Sequence, residues 1–281
     1  MQSTVHRLDL TSLVSRALAA RPGPRQLDAL LAGLWRTGAE PPSASAQALP
    51  PTVARYLDLA LAQAGPAPLA VALRHDAQMN RSLDRPAWFG LRSRQWIAAR
   101  RPGFVWSANV GGPLGSAVDV VDAYVQGQGT FAVWVAGLLP VGAARGSEAI
   151  ARGELMRWLA EAVYVPWALA NCRGLRWTPV DARHADAELT DQGVRVNLRF
   201  EFGDDGLVRS VRAADRPRMV GRGFVDTPWV GQWSDWQRRG GVLMPTRGEV
   251  AWLVDGRACP YWRGTLSTWD ELREPPPGPL A

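Results

Sequence analysis

The stretch Val194–Phe202, Val-Arg-Val-Asn-Leu-Arg-Phe-Glu-Phe, decides the fold class of this 281-residue chain. Apolar and polar residues alternate along it, and successive side chains of a β-strand point to opposite faces of a sheet. The pattern therefore predicts a strand with one buried face and one face in water. The turn sequences Asp191-Gln192-Gly193 and Asp204-Asp205-Gly206 bracket it, so we expect an antiparallel meander. The predicted buried face consists of Val194, Val196, Leu198, Phe200 and Phe202.

Similar alternation recurs from Leu69 to Trp269 and predicts a sheet of about eight to eleven strands. So many short strands joined by hairpin turns favour a strongly curved antiparallel sheet, because a flat sheet of that width is unusual. The predicted strands are Ala70–Gln78, Trp88–Arg100, Gly103–Val110, Ala117–Val125, Thr130–Leu139, Ala185–Leu189, Val194–Phe202, Leu207–Ala213, Trp229–Arg238, Thr246–Val254 and Tyr261–Trp269.

One helical pattern, Gly153–Leu169, interrupts the strands. Leu155, Leu159 and Ala162 form an apolar stripe along it. Since a lone helix within a curved sheet most simply covers the concave face, we expect this helix to lie there. The predicted fold class is therefore α+β.

Three amphipathic helices are predicted before residue 65, with apolar stripes through Leu13–Leu18, Leu27–Trp35 and Val53–Leu61. We divide the chain into an N-terminal helical segment with its linker (1–48), a sheet domain (49–274) and a disordered Pro-rich tail (275–281). Short amphipathic helices need a partner, so we expect the first two to dock on the sheet domain or on a second copy of the chain, which would make a homo-oligomer.

The composition limits the possible locations and cofactors. The first twenty residues lack the apolar run of a signal peptide or a membrane span, which predicts a cytoplasmic protein. The two cysteines and three histidines are scattered without metal-ligand spacing, so we expect neither a metal nor another cofactor.

A formal charge of +6 raises the alternative of a nucleic-acid partner. Arginines are concentrated between Arg74 and Arg101, with Trp88 and Trp96 among them, as in single-strand binding surfaces. All 32 cationic side chains are arginine, however, a bias typical of a GC-rich genome. We therefore expect nucleic acid to be an unlikely partner.

Fourteen tryptophans suggest either aromatic core filling or an aromatic wall around a ligand cavity. Arg263, beside Tyr261 and Trp262, would suit a carboxylate or phosphate group, and would equally suit Glu249. The candidate ligand-binding residues are Trp106, Tyr124, Trp158, Trp177, Trp229, Trp252, Tyr261 and Arg263.

Three carboxylates are candidate acid or base groups: Glu154 on the predicted helix, Asp226 beside a turn proline, and Glu249 between apolar neighbours on a strand. Arg157 lies between Glu154 and Glu161 at helical spacing, so an ion-pair ladder is the simpler explanation for those two acids. None of the common sequence signatures of enzymes is present.

Several spaced motifs resemble those of an uncharacterised bacterial family of unknown function. They are Arg101–Trp106 (RPGFVW), Gly153–Glu161 (GELMRWLAE), Asp226–Trp229 (DTPW), Gly248–Trp252 (GEVAW) and Tyr261–Gly264 (YWRG). More distantly, the chain resembles LolA-type lipoprotein carriers. That resemblance implies a half-barrel, a curved antiparallel sheet that clasps helices over an apolar cavity.

The favoured function is the binding of an apolar or amphipathic small molecule in an aromatic-lined cavity between the sheet and the Gly153–Leu169 helix. The alternative is an enzyme, a hydrolase, lyase or isomerase, that uses the carboxylates of the same cavity for acid–base chemistry. Convergence of the carboxylates on a pocket would favour the enzyme, and ion pairs at its rim would favour the carrier.

Overall fold

The computed structural model describes residues 22–39, 48–83, 85–112, 115–135, 139–221 and 223–276. The first predicted helix, most of the linker and the end of the tail lie outside these ranges. The division of the chain at residues 48 and 274 therefore stays a prediction.

One antiparallel sheet of thirteen strands dominates the described structure. The spatial order is β6-β5-β4-β3-β2-β1-β13-β12-β11-β10-β9-β8-β7, so β1 joins two meanders by pairing with both β2 and β13. The curved antiparallel sheet is thus confirmed, with two strands more than predicted, β6 and β7. The strands are β1 Ala70–Asn80, β2 Trp88–Ala98, β3 Phe104–Gly112, β4 Gly115–Val125, β5 Gln128–Val135, β6 Leu139–Arg145, β7 Leu175–Pro179, β8 His184–Asp191, β9 Val194–Phe202, β10 Val208–Val220, β11 Gly223–Arg239, β12 Val242–Val254 and β13 Arg257–Leu272.

A hydrogen bond between distant strands shows how strongly the sheet curves. Strands β4 and β8 are nine positions apart in the strand order. A flat sheet would separate them by about 43 Å at about 4.8 Å per strand. Tyr124 at the end of β4 nevertheless donates a 2.8 Å hydrogen bond to Asp191 at the end of β8. The two limbs of the sheet therefore meet at one rim.

The register predicted for β9 is confirmed. Its side chains alternate between buried and solvent-facing, with Val196, Leu198, Phe200 and Phe202 all in the core. Arg195 and Arg199 face outward, and Arg199 pairs with Asp186 of β8 at 2.8 Å.

Helices fill the inner face of the sheet. Helix α2 spans Pro51–Leu61, helix α3 spans Glu148–Glu161, and α4 spans Pro166–Asn171. The single helix expected at Gly153–Leu169 is corrected, since it begins five residues earlier and is broken. Ser147 caps its start by accepting a hydrogen bond from Ile150 N. Pro166 cannot continue it, and a 3₁₀ turn at Ala162–Tyr164 leads into α4.

Helix α1, Pro22–Ala39, covers the opposite, outer face of the sheet. Leu31 and Leu34 are buried there in a second apolar cluster with Trp96, Val105 and Ala123 of strands β2 to β4. The second predicted N-terminal helix thus docks on the sheet of its own chain. The sheet covers the apolar face of α1, so this helix does not need a second copy of the chain as a partner. A homo-oligomer through the N-terminal helices stays an untested prediction.

Candidate functional site

A buried carboxyl pair lies beneath helix α3. Glu154 lies near Asp122 of β4, and the pKa of Glu154 is raised well above its ordinary value, first by burial and then by the charge and hydrogen bond of Asp122. Arg157 and Arg216 act in the opposite direction without overcoming these effects. Burial therefore favours the protonated form of Glu154.

Arg157 connects this pair to the centre of the sheet. Its guanidinium contacts Asp122 at 2.5 Å and Glu161 at 3.0 Å, and it stacks over the rings of Phe104 and Trp106. The ladder predicted from helical spacing is confirmed for Arg157 and Glu161. The second carboxylate that pairs with Arg157 is Asp122 of β4 and not Glu154. Glu154 lies one turn earlier on α3, where burial favours its protonated form.

His75 and a small cavity lie beside this network. The cavity encloses about 20 Å³, room for about one water molecule, and is lined by His75, Gln95, Glu161 and Tyr164 among others. Gln95 donates a hydrogen bond of 2.5 Å to Glu161. Burial, and to a lesser degree the charge of Arg157, lower the pKa of His75 to about 4, so its imidazole is neutral at pH 7.

A second buried cation, Arg216 of β10, is enclosed by aromatic rings. Its guanidinium lies 4.9 Å from the ring centre of Trp229 and 5.6 Å from that of Trp252. Tyr261 Oη accepts hydrogen bonds from Arg216 at 3.1 Å and from Trp229 Nε1 at 3.0 Å, and the Tyr261 ring stacks on Trp252. Three of the predicted ligand-binding residues, Trp229, Trp252 and Tyr261, therefore converge. We call this set of four residues the Arg216 cluster.

The other predicted aromatic residues lie apart from the Arg216 cluster, within the packed interior. Trp158 is completely buried on α3, Trp106 lies under Arg157, and Tyr124 bonds Asp191. Trp177 packs edge-on against Phe200 and donates to a backbone oxygen of α4. These four side chains fill the core in the structure as it stands.

The remaining predicted site residues do not share one cavity with Glu154. Asp226 is exposed and lies 3.6 Å from Arg152 on the surface. Glu249 and Arg263 face the outer side of the sheet, directly opposite each other on β12 and β13. Arg263 there donates to Gln78 and stacks over Trp88. The expectation that Glu249 and Glu154 approach one cavity is therefore wrong. Side-chain alternation along β12 places Glu249 on the outer face of the sheet, whereas Glu154 is buried at the inner face.

The outer face around Glu249 forms an open polar groove of about 1830 Å³. Arg74 of β1 and Arg94 of β2 are directly opposite each other there. Partial burial and the charge of Arg74 lower the pKa of Arg94. Part of the arginine-rich segment thus forms a cationic surface, with Asp76 and Glu249 as acidic members.

Sequence reasoning did not identify Arg216, Asp122, His75 or Gln95. Asp122 interrupts an otherwise apolar strand face, which was an available signal. Gln95 follows the small polar residue Ser93 on its face and gave a weaker one. The sequence around Arg216 carries no such signal, since a β-bulge before it in β10 changes the side-chain alternation. Within the described ranges, no three His, Cys, Asp or Glu side chains are grouped so as to hold a metal ion.

Residues 40–264 match the profile of a family of unknown function, DUF6544. The chain belongs to the DUF6544 family. This confirms the sequence resemblance to an uncharacterised family, and the match includes the Arg216 cluster and all of helix α3. No functionally curated protein matches this DUF6544 member.

Solved structures align with this DUF6544 chain over most of its length at low identity. A LolA superfamily protein from Nitrosomonas europaea is 12% identical, with a TM-score of 0.43, and the match covers 80% of this chain and 93% of that one. A putative outer membrane lipoprotein-sorting protein domain from Vibrio parahaemolyticus is 9% identical, with a TM-score of 0.44 and coverage of 78% and 90%. A DUF1329 protein from Desulfovibrio piger is 11% identical, with a TM-score of 0.41 and coverage of 78% and 90%.

Proposed function

We propose that this protein binds an amphipathic small molecule with an anionic head, and that the Arg216 cluster recognises the head. One observation carries the proposal. Arg216 is more than nine-tenths buried between two tryptophan rings, and its neutral partner Tyr261 cannot balance its charge.

The energetics of a buried guanidinium support an anionic ligand. A buried charge is costly unless it is paired and hydrogen-bonded. Glu154 is the carboxyl group whose charge would oppose Arg216, but burial favours its protonated form. Nε of Arg216 has no hydrogen-bond partner among the described residues. A carboxylate or phosphate head would supply the charge and the acceptor together.

The aromatic neighbours of Arg216 suit the apolar part of such a molecule. Trp252 and Tyr261 contact Arg216, and Val250 and Trp262 line the small cavity beside Trp229. All four are only partly buried against the core, so they form a rim at which apolar surface is accessible. The cavity beside His75 has room for about one water, so a larger ligand requires displacement of α3 or of the rim. The ligand would then bind to a less populated, open conformation and shift the population towards it.

A headgroup comparison tests this function. We would titrate the full chain with a fluorescent long-chain fatty acid and with the matching uncharged alcohol. The wild-type protein should bind the acid at least tenfold more tightly, since a charge-assisted hydrogen bond contributes about 1.5–3 kcal/mol. Arg216→Met should remove this preference while retaining weak alcohol binding. Native mass spectrometry of freshly purified protein would reveal a co-purified molecule.

Arg263→Met is the matched control, because Arg263 also stacks on a tryptophan but faces the outer groove. It should leave the acid preference unchanged. Equal binding of acid and alcohol by the wild-type protein, or an equal effect of the two variants, would contradict the proposal.

An enzyme remains the second candidate, and the raised pKa of Glu154 favours it, since a buried carboxyl that retains its proton is suited to act as a general acid. The other two candidate acids support the binding function instead. Asp226 is ion-paired with Arg152 at the surface, and Glu249 faces the outer groove. If the protein turns over a substrate, Glu154→Gln should reduce turnover by about a hundredfold or more. A binding protein should retain its affinity in the same variant.

Two further predictions concern partner and location. Nucleic acid remains the less favoured partner for the outer groove, although Arg74 and Arg94 lie there. No described helix has the length and apolar character needed to cross a bilayer. The cytoplasmic location remains a prediction from the N-terminal sequence.

A further inference from the structure

The hairpin that joins β10 and β11 carries an exposed apolar tip. Four of the five large apolar side chains that are exposed in the described structure lie there: Met219 at 49%, Val220 at 46%, Phe224 at 37% and Val225 at 50%. Scattered exposed apolar residues are normal, whereas a contiguous group marks an interaction site.

This part of the hairpin projects from the sheet as a two-stranded ribbon. Pairing of β10 with β9 ends at Arg212, and pairing of β11 with β12 begins at Trp229. Between them, β10 and β11 pair with each other, with Met219 opposite Phe224 and Arg218 opposite Val225. Alternation places Met219 and Phe224 on one face and Val225 on the other, so the tip is apolar on both faces.

The charges around the tip are positive. Arg218 lies beside Val225 and donates a hydrogen bond to Thr227. The sequence has another arginine at position 222, and the whole chain has a formal charge of +6. Two acids lie along the ribbon, Asp215 on β10 and Asp226 beside Val225 on β11, and both are within 4 Å of Arg152. Apolar side chains beside arginines match the chemistry of an anionic lipid surface.

We propose that the β10–β11 ribbon docks this protein on anionic lipid membranes. The apolar tip enters the boundary between headgroups and acyl chains, and Arg218 contacts the anionic headgroups. From Val225 to the turn the ribbon extends about 10 Å, which matches the depth that interfacial segments reach. Docking does not require the ligand site. Arg216 nevertheless lies three residues before Met219 on β10, so a docked ribbon would hold the Arg216 cluster close to the headgroups.

Vesicle flotation with the full chain tests this docking. We would compare vesicles of phosphatidylcholine alone with vesicles containing about a third phosphatidylglycerol, at low and high salt. The wild-type protein should float with the anionic vesicles, less so at high salt because surface charges are screened. The Met219→Ser/Phe224→Ser double variant should bind at least tenfold more weakly, and Arg218→Gln should bind anionic vesicles several-fold more weakly.

Val180→Ser is the matched control, because Val180 is similarly exposed, at 42%, but lies in the turn between β7 and β8. It should bind as the wild type does. Melting temperatures of the double variant and of Val180→Ser should agree with that of the wild type, since their changed side chains are exposed. Failure of the wild-type protein to float, or flotation unaffected by the double variant, would overturn the proposal. The proposal would also be overturned if the wild-type protein self-associates without binding vesicles and the double variant does not self-associate. The tip would then be a contact between protein molecules. The fatty-acid titration reports on the ligand site independently of either result.

Discussion

Tyr124 and Asp191 join the two limbs of the curved sheet through a 2.8 Å hydrogen bond between their side chains. Burial, followed by the charge of Asp191, raises the pKa of Tyr124, so the phenol keeps the proton that it donates. Tyr124→Phe should lower the free energy of unfolding by about 1.5–3 kcal/mol, the usual contribution of a hydrogen bond to a charged group. Amide hydrogen exchange should accelerate at the ends of β4 and β8.

A conservative substitution of Asp191 distinguishes the contribution of this hydrogen bond from that of the surrounding packing. Asp191→Asn keeps an acceptor oxygen and should cost less than Tyr124→Phe. Equal stability of Tyr124→Phe and wild type, with unchanged exchange in both strands, would show that helices alone hold the limbs together.

Two glycines near α3 should respond oppositely to alanine. A Cβ on Gly129 of β5 would lie 2.7 Å from backbone and side-chain carbons of Ile150, so Gly129→Ala forces the helix away from β5. We expect a loss of about 1–3 kcal/mol, the usual cost of overpacking. Gly153 lies within α3, where a Cβ would meet no atom closer than 3.8 Å. Gly153→Ala should gain about 0.5–1 kcal/mol. Thermal and denaturant unfolding measure both, and a shift of the same sign in both variants would contradict the packing of α3 on β5.

His75 should make the protein less stable in acid. Its pKa is about 4 in the folded protein, whereas an unfolded histidine titrates near 6.5. Between these values the unfolded chain binds a proton that the native protein does not, so the free energy of unfolding falls as the pH is lowered. The loss reaches about 3 kcal/mol by pH 4, at about 1.36 kcal/mol per pH unit.

His75→Phe keeps a ring for the edge contacts with Tyr164 and Trp262 but cannot be protonated. Denaturant unfolding from pH 7 to pH 4 should therefore show a shallower decline in this variant than in the wild type. Parallel curves would mean that His75 binds its proton in both states alike.

Glu154 should produce the opposite pH dependence. Its pKa is raised in the folded protein, so the native state keeps a proton that the unfolded chain releases above its ordinary pKa. Its contribution to stability is complete at low pH and is lost as the pH rises. Glu154→Gln removes this titration, so its stability relative to the wild type should increase from pH 5 to pH 8. A constant difference would show that Arg157 and Arg216 restore an ordinary pKa to Glu154.

The placement of β9 illustrates what can be inferred locally. Alternation, bracketing turns and β-propensity all act over a few residues, so they indicated the strand, its buried face and its antiparallel neighbours correctly. Strands β6 and β7 were missed. Strand β6 lacks clear alternation over its seven residues. Strand β7 alternates, but only over five residues with two apolar side chains, Leu175 and Trp177, so its pattern is too short to indicate a strand. The α3 region was located but not delimited, since Ser147 and Pro166 set its ends more strongly than its apolar stripe does.

By itself, the sequence determined the antiparallel class, the inward face of β9, the approximate positions of helices α1 to α3 and the family, because these depend on side-chain periodicity and short motifs. Only the tertiary structure decided which charges meet. Asp122 reaches Arg157 because the sheet curves beneath α3, and Arg216 enters the Trp229–Trp252 pair because a bulge in β10 changes which way its side chain points. Such pairings join residues far apart in the chain, and their energies depend on burial, which exists only once the sheet has closed around the helices.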